Sequence, residues 1–218
     1  PSSPEIRRLL PGAETGKKGR KKKIELPIYQ GRGGEWMLTT AERKRILLNN
    51  IYGVDIDRQA VEVTKLSLLL KVLEGENDET ISKQLKLFQE RALPDLSNNI
   101  KCGNSLIGWD ILNDNPGMTQ EEIERINPFD WEKEFPEIFQ RGGFSVIIGN
   151  PPYITIGGKQ DSYTILDVKN HVTNKYRSAE YKINYFALFI ERAIKLLSDD
   201  ARLGFIVPRA FLENHHFK

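Results

Sequence analysis

The sequence has a single cysteine, only three histidines and no apolar run long enough to cross a membrane. A membrane-spanning helix needs about 20 consecutive apolar residues, so the sequence predicts no such helix in this chain. Cys102 alone excludes a disulfide framework and a cysteine-rich zinc site, and it favours the reducing cytoplasm. His171, His215 and His216 lack the spacing of a metal site, so no metal ion is expected.

Charge is distributed unevenly along the 218 residues, although the formal net charge is only +2. Residues 1–23 contain eight basic residues against two acidic ones. A solvated, flexible lead-in explains this run, and a basic arm that follows DNA phosphates is the alternative. We therefore divide the chain into a basic lead-in or insertion over residues 1–35 and a folded domain over residues 36–218. The chain begins at Pro1 and not at methionine, so we expect it to be part of a longer protein.

Helical and strand patterns alternate along the folded domain. Such alternation predicts an α/β fold with an open, mainly parallel sheet and helices on both faces. We predict an edge strand at Ile24–Tyr29, a helix at Thr39–Asn49, a buried strand at Ile51–Ile56, a largely buried helix at Arg58–Glu74 ended by Gly75, a strand at Ile100–Cys102, a small helix capped by Thr119 and Glu122, a central strand at Phe144–Ile148, a functional loop or lid over residues 154–182, a helix at Tyr185–Leu197 and a strand at Leu203–Val207.

Polar residues follow two of these strands in succession, and ligands of open α/β sheets bind beyond the carboxyl ends of strands. At the first strand end, Asp57 is placed as a helix cap, which leaves Asp55 to accept hydrogen bonds from the ribose of an adenosine cofactor. Ile56 would then offer an apolar face to the adenine ring. At the next strand end, the Asn104 amide could bind an adenine edge, or it could close an Asx turn.

The strongest signal is Asn150-Pro151-Pro152-Tyr153, which follows the strand Phe144–Ile148. The two prolines fix φ and remove two backbone donors, so the carbonyl groups just before them are rigid acceptors. The Asn150 side chain adds another acceptor, and Tyr153 adds a flat aromatic face. Two acceptors beside an aromatic ring suit the exocyclic amino group of a planar base.

Four segments together resemble the adenine-specific DNA methyltransferase region of type IIG restriction-modification enzymes, and the likeness covers roughly residues 36–212. The resemblance implies an incomplete Rossmann-like fold that uses S-adenosyl-L-methionine to methylate N6 of a flipped adenine in double-stranded DNA. It assigns Asp55, Ile56 and Asn104 to the cofactor side, and Asn150, Pro151, Pro152 and Tyr153 to catalysis. It also implies a longer protein with a nuclease and a target-recognition domain. The segments are IYGVDIDRQAVEVTKLSLLLKVL (Ile51–Leu73), IKCGNSLIG (Ile100–Gly108), FSVIIGNPPY (Phe144–Tyr153) and YFALFIERAIKLLSDDARLGFIVP (Tyr185–Pro208).

The sequence departs from this family at Asn104, where the family often has aspartate, and in lacking the Gly-rich cofactor loop that should precede Asp55. Gly31-Arg32-Gly33-Gly34 lies at a suitable distance, but Pro27 interrupts the strand before it. We therefore expect the loop to lie upstream of Pro1 and the isolated chain to be inactive.

Two other functions are alternatives for the same residues. Methylation of a protein glutamine amide or of an rRNA guanine uses the same tetrapeptide on a different planar amino group. A catalytically inactive DNA-binding fragment is the non-enzymatic alternative.

Overall fold

A computed structural model describes residues 27–31, 33–74, 94–156, 166–179 and 183–209. The chain divides into two compact units, residues 1–43 and residues 44–218. Several predictions concern residues outside the described ranges: the flexibility of residues 1–23, the start of the strand at Ile24, the helix stop at Gly75, residues 157–165 and 180–182 of the polar loop, and His215 and His216. Within the described part of residues 154–182, Leu166–Lys175 form a helix and Val172 and Tyr176 are buried, so the prediction of an irregular loop or lid is wrong there.

The first unit contains an antiparallel hairpin of β1 (Ile28–Gln30) and β2 (Trp36–Leu38). Its turn is closed by a hydrogen bond from Gly34 N to Gly31 O at 3.0 Å. Gly34 has a φ of +85°, a value that glycine adopts without the steric cost of a side chain. Helix α1 (Thr40–Asn50), most of which belongs to the second unit, begins after Thr39, whose hydroxyl accepts from Glu42 N at 3.3 Å and so caps the helix.

The second unit is of the mixed α/β class, and the strands described in it form two parallel pairs. Strand β3 (Gly53–Asp55) pairs with β4 (Ile100–Cys102), and β5 (Phe144–Gly149) pairs with β6 (Leu197–Phe205). Helix α2 (Arg58–Leu73) connects β3 to the following segment. The other described helices are α3 (Ile111–Asp114), α4 (Gln120–Ile126), α5 (Trp131–Glu134), α6 (Pro136–Phe139), α7 (Leu166–Lys175) and α8 (Tyr185–Leu196).

Parallel pairing is confirmed, but the described strands form two-stranded sheets and not one open sheet. Strand β5 is hydrogen-bonded to β6 alone among the described strands, so the prediction of a central strand is wrong for this part of the chain. Strand β6 also begins at Leu197, six residues before its predicted start. Residues 197–202 were missed because Asp199 and Asp200 interrupt the apolar pattern, and Asp200 has a φ of +60°.

Two predictions of burial are wrong. Helix α2 buries Val61 and Val72, whereas Val63, Leu66 and Leu70 are 56–63% exposed. Strand β3 is only partly buried, and its last residue, Asp55, is exposed. Apolar side chains on most faces of a helix or strand indicate that the element could be buried. Each face is buried, however, only where another element packs against it.

Among the described residues of the second unit, buried apolar side chains form two clusters. The smaller one joins α1, α2 and β4 through Leu47, Val61 and Ile100. Asn99, which is 4% exposed, links the segment before β4 to the end of α1, because its amide nitrogen donates to Leu48 O and Ile51 O, both at 2.9 Å. The larger cluster packs α7 and α8 against the segment after β4; its buried members are Leu106, Ile107, Ile111, Ile126, Ile156, Val168, Val172, Tyr176, Ala179, Ile183 and Leu188.

Candidate functional site

The carboxylates of Asp55 and Asp57 have different local roles. Asp57 Oδ1 accepts from Gln59 N at 2.7 Å and so caps α2, as predicted. Asp55 Oδ1 accepts from Asp57 N at 2.8 Å, and Asp55 is exposed at the end of β3. Ile56 follows with 48% of its surface exposed. An accessible carboxylate beside an accessible apolar side chain therefore ends β3.

The end of β4 lies beside the end of β3. Gly103 N donates to Asp55 O at 2.9 Å, and the Cys102 thiol lies 3.5 Å from Ile56 O. Gly103 cannot be larger, because a Cβ there would lie 2.4 Å from the ring of Phe129. The structure thus brings Asp55, Ile56 and the turn before Asn104 into one group.

Asn104 closes a turn with its side chain. Its Oδ1 accepts from Leu106 N at 3.0 Å and from Ile107 N at 3.2 Å, while its Nδ2 donates to Ile126 O at 3.2 Å. Asn104 therefore forms the Asx turn that the sequence offered as one of two alternatives, and both its amide oxygen and its amide nitrogen are hydrogen-bonded within the protein. A role for Asn104 toward the cofactor stays a prediction, and it requires that some of these bonds be exchanged for ligand contacts.

The segment Asn150–Tyr153 leaves the carboxyl end of β5. The turn at Gly142 and Gly143 sets the start of this strand: Gly143 has a φ of +117°, and a Cβ there would lie 2.7 Å from Leu196 O. At the other end, Ile206 N donates to Gly149 O at 3.1 Å and continues the pairing with β6 past the strand. Asn150 and Tyr153 are exposed, whereas Pro151 is buried.

Tyr153 contacts both its own motif and the segment after β6. Its hydroxyl oxygen lies 2.7 Å from Asn150 Oδ1 and 2.9 Å from Ile206 O. The tyrosine is 50% exposed, so part of its ring is accessible. Sequence reasoning gave more weight to the aromatic face of Tyr153 than to its hydroxyl, and it did not identify the contacts of the hydroxyl.

Gly31, Gly33 and Gly34 belong to the turn of the β1–β2 hairpin. A dinucleotide-type cofactor loop instead connects a strand of a parallel sheet to the N-terminus of a helix. The hairpin geometry therefore does not match that of a cofactor loop.

Sequence reasoning also missed a group of titratable residues that joins α3 to α7. His171 is 3% exposed, and its Nδ1 lies 2.6 Å from Asp114 Oδ2. Lys175 forms an ion pair with Asp110, whose Oδ2 is 3.9 Å from His171 Nε2. Burial by itself raises the pKa of Asp110, but Lys175 and His171 more than offset this effect and hold the pKa below its ordinary value. The sequence contained a signal for this group, because Asp110 and Asp114 are four residues apart, as are His171 and Lys175, and such pairs lie on the same face of a helix.

The described residues contain no group of three or more His, Cys, Asp or Glu side chains that could hold a metal ion. The same part of the chain has no helix long and apolar enough to cross a membrane.

The sequence model of the Eco57I restriction-modification methylase family matches residues 49–218. The chain belongs to this family. Among related proteins, the type II restriction enzyme and methyltransferase RM.Eco57I of Escherichia coli is 39% identical over 172 residues, which are 78% of this chain and 15% of that protein. The putative type II restriction enzyme and methyltransferase RM.MjaORFECS2P of Methanocaldococcus jannaschii is 23% identical, over 78% of this chain and 23% of its own length.

A third relative of this Eco57I-family chain is the adenine-specific methyltransferase PglX of Streptomyces coelicolor, which is 30% identical over 54% of this chain and 10% of its own length. The chain therefore spans less than a quarter of the length of each of these relatives. Membership of the family makes this chain a restriction-modification methylase region, and it confirms the resemblance found in the sequence.

Proposed function

We propose that this chain is part of the catalytic domain of a DNA methyltransferase that transfers a methyl group from S-adenosyl-L-methionine to N6 of adenine. The observation that carries the proposal is the position of Asn150–Tyr153 at the carboxyl end of a parallel strand, with Asn150 and Tyr153 exposed. The adenine-specific relative supports the choice of adenine. Within a restriction-modification protein, which would also contain a nuclease and a target-recognition domain, the substrate would be double-stranded DNA in the bacterial cytoplasm.

The residues at the end of β3 fit one half of the cofactor. The exposed Asp55 carboxylate would accept from the ribose hydroxyls, and Ile56 would pack on the adenine. Asn104 would lie at the neighbouring strand end. The described residues provide no glycine-rich loop between a parallel strand and a helix for the methionine half. When bound, the cofactor would supply an electrophilic methyl group on a sulfonium sulfur.

The catalytic task of the chain is to make the adenine amine nucleophilic. The N6 lone pair is delocalised into the ring, so the free amine reacts poorly. Hydrogen bonds from its two protons to Asn150 Oδ1 and to the Pro151 carbonyl would favour a tetrahedral nitrogen and free the lone pair for in-line attack. Positioning and electrostatics would supply the acceleration, without a covalent intermediate.

The base would have to leave the duplex to reach this motif. Flipping a base costs a few kcal/mol of stacking and pairing energy, and stacking on the Tyr153 ring would offset part of it. The rigid backbone at Pro151 and Pro152 would keep the acceptors in place while the base enters.

The test is methyl transfer from labelled S-adenosyl-L-methionine to duplex DNA by the full-length protein that carries this chain. Asn150→Ala should lower the rate at least about 100-fold, the effect typical of removing one group that stabilises a transition state, while cofactor affinity stays within about twofold. Asn113→Ala, which changes an exposed asparagine on α3, is the matched control and should leave the rate unchanged.

The labelled nucleoside should be N6-methyladenine. Labelled 4-methylcytosine, or label in protein or RNA with none in DNA, would reject the adenine assignment. Full activity of Asn150→Ala would reject the site itself.

A further inference from the structure

The hydroxyl of Tyr153 lies within hydrogen-bond distance of two oxygen atoms, 2.7 Å from Asn150 Oδ1 and 2.9 Å from Ile206 O. A phenol has one proton, so it cannot donate a full hydrogen bond to both. A contact of 2.7 Å between two oxygens without a proton between them is unfavourable. The hydrogen bonds of the Tyr153 hydroxyl therefore indicate whether the oxygen or the nitrogen of the Asn150 amide faces the tyrosine.

The Ile206 carbonyl can only accept, and its position is fixed by the backbone. Ile206 N donates to Gly149 O at 3.1 Å, which extends the β5–β6 pairing to this residue. The phenol proton therefore belongs to the bond with Ile206 O. The remaining contact then needs a donor on Asn150.

The Asn150 amide can supply that donor without moving its backbone. The oxygen and nitrogen of a carboxamide have nearly the same shape, and which one faces a partner is decided by the hydrogen-bond network. A half-turn about the Cβ–Cγ bond places Nδ2 where it donates to Tyr153, and Oδ1 on the opposite side. Both contacts of the Tyr153 hydroxyl are then hydrogen bonds: Asn150 Nδ2 donates to Tyr153 Oη, which donates to Ile206 O.

We propose that Tyr153 is a positioning residue, whose hydroxyl orients the Asn150 amide so that its oxygen faces the target amino group. This inference rests on the proposed function. In the opposite orientation, the NH₂ of Asn150 would meet the NH₂ of the base, donor against donor. The tyrosine hydroxyl selects the productive orientation and fixes it to the end of β6, while the ring remains available for stacking.

Tyr153→Phe in the full-length protein tests this role, because it keeps the ring and removes the hydroxyl. The loss of one orienting hydrogen bond should lower kcat for DNA methylation by about tenfold. The KM for DNA and the cofactor affinity should stay unchanged. Tyr52→Phe is the matched control, since the Tyr52 hydroxyl has a weak contact with Asn49 O at 3.4 Å, and it should leave kcat unchanged.

A double-mutant cycle separates orientation from other effects of the hydroxyl. A carboxylate accepts hydrogen bonds at both oxygens, so an Asn150→Asp variant presents an acceptor to the target amine in either orientation. In the Asn150→Asp background, Tyr153→Phe should therefore change the single-turnover rate less than twofold. This comparison is internal to one background, so it holds even if the Tyr153→Phe protein is less stable.

The outcomes are distinguishable. A native rate for Tyr153→Phe, with Asn150→Ala inactive, would overturn the orienting role and leave the proposed function intact. A tenfold loss that persists in the Asn150→Asp background would also overturn it. Activity of Asn150→Ala would instead show that the proposed function has failed.

Discussion

The role of a single residue in this chain depends on the structure immediately around it. Asp55 and Asp57 are two positions apart and chemically identical, yet one caps α2 and the other is exposed at the end of β3. The sequence was sufficient to distinguish them, because an N-cap must directly precede a helix. The contacts of the Tyr153 hydroxyl were beyond prediction, since Ile206 is 53 residues away in the chain.

Asp55→Ala and Asp57→Ala should affect different properties of the protein, cofactor binding in the first case and stability in the second. Loss of the Asp55 carboxylate should weaken cofactor binding by the full-length protein about 10- to 150-fold, as expected for a hydrogen bond to a charged group. Loss of the Asp57 cap should instead lower the free energy of unfolding by about 1 kcal/mol. Calorimetric titration with S-adenosyl-L-methionine and denaturant unfolding measure the two effects. The assignment of the pair is reversed if only Asp57→Ala weakens binding.

At the scale of elements, periodicity located helices and strands better than it predicted their burial. The bounds of α1, α2, β4 and α8 differ from prediction by one residue or less at each end. Each of these segments has a local signal, such as a cap or a turn. Exposure was missed on α2 and β5 because it depends on which other elements pack there, and a local pattern does not contain that information.

Helix α8 is tied to the segment after α7 by Glu191. Its Oε2 accepts from Ser178 N at 2.9 Å and from Ser178 Oγ at 2.8 Å, and its Oε1 accepts from Lys195 at 2.7 Å. Burial alone would raise the pKa of Glu191, but these hydrogen bonds outweigh it and lower the pKa to about 2. The charged form is therefore favoured by folding.

Glu191→Gln should destabilise the fold in a pH-dependent way. Because the pKa is lower in the folded state, the stabilising contribution is complete above about pH 5 and is lost as the pH falls toward 2. At pH 7 we expect a loss of about 1–3 kcal/mol in the free energy of unfolding. Urea unfolding between pH 7 and pH 3 measures it, with the exposed Glu137→Gln as control. If the difference in the free energy of unfolding between Glu191→Gln and the unsubstituted protein stays constant down to pH 3, the result contradicts this account.

At the scale of the whole molecule, the described strands form short parallel pairs, and one half of the expected cofactor site has no counterpart among them. The order of motifs was enough to predict the family and the mixed α/β class. It could not predict the pairing of the strands, because pairing joins residues such as Gly149 and Phe205 that are far apart in the sequence.

The 218-residue chain should bind S-adenosyl-L-methionine weakly or not at all, because Gly31, Gly33 and Gly34 form a hairpin turn and not a cofactor loop. Calorimetric titration of this chain beside the full-length protein measures the difference. Micromolar binding by the 218-residue chain would contradict the prediction and make these glycines the loop to mutate next.

Strand β5 has a further consequence for how the molecule behaves in concentrated solution. Ile148 is 81% exposed and Val146 59%, on a strand that is hydrogen-bonded to β6 alone among the described strands. A strand edge with exposed β-branched residues can template pairing with another molecule. Light scattering by the 218-residue chain should therefore rise with concentration, and Ile148→Lys should suppress the rise, whereas Lys in place of exposed Asn113 should not. Equal scattering by all three proteins would show that association does not depend on the exposed face of β5. Lower scattering by Ile148→Lys would make that variant the preferred sample for crystallisation.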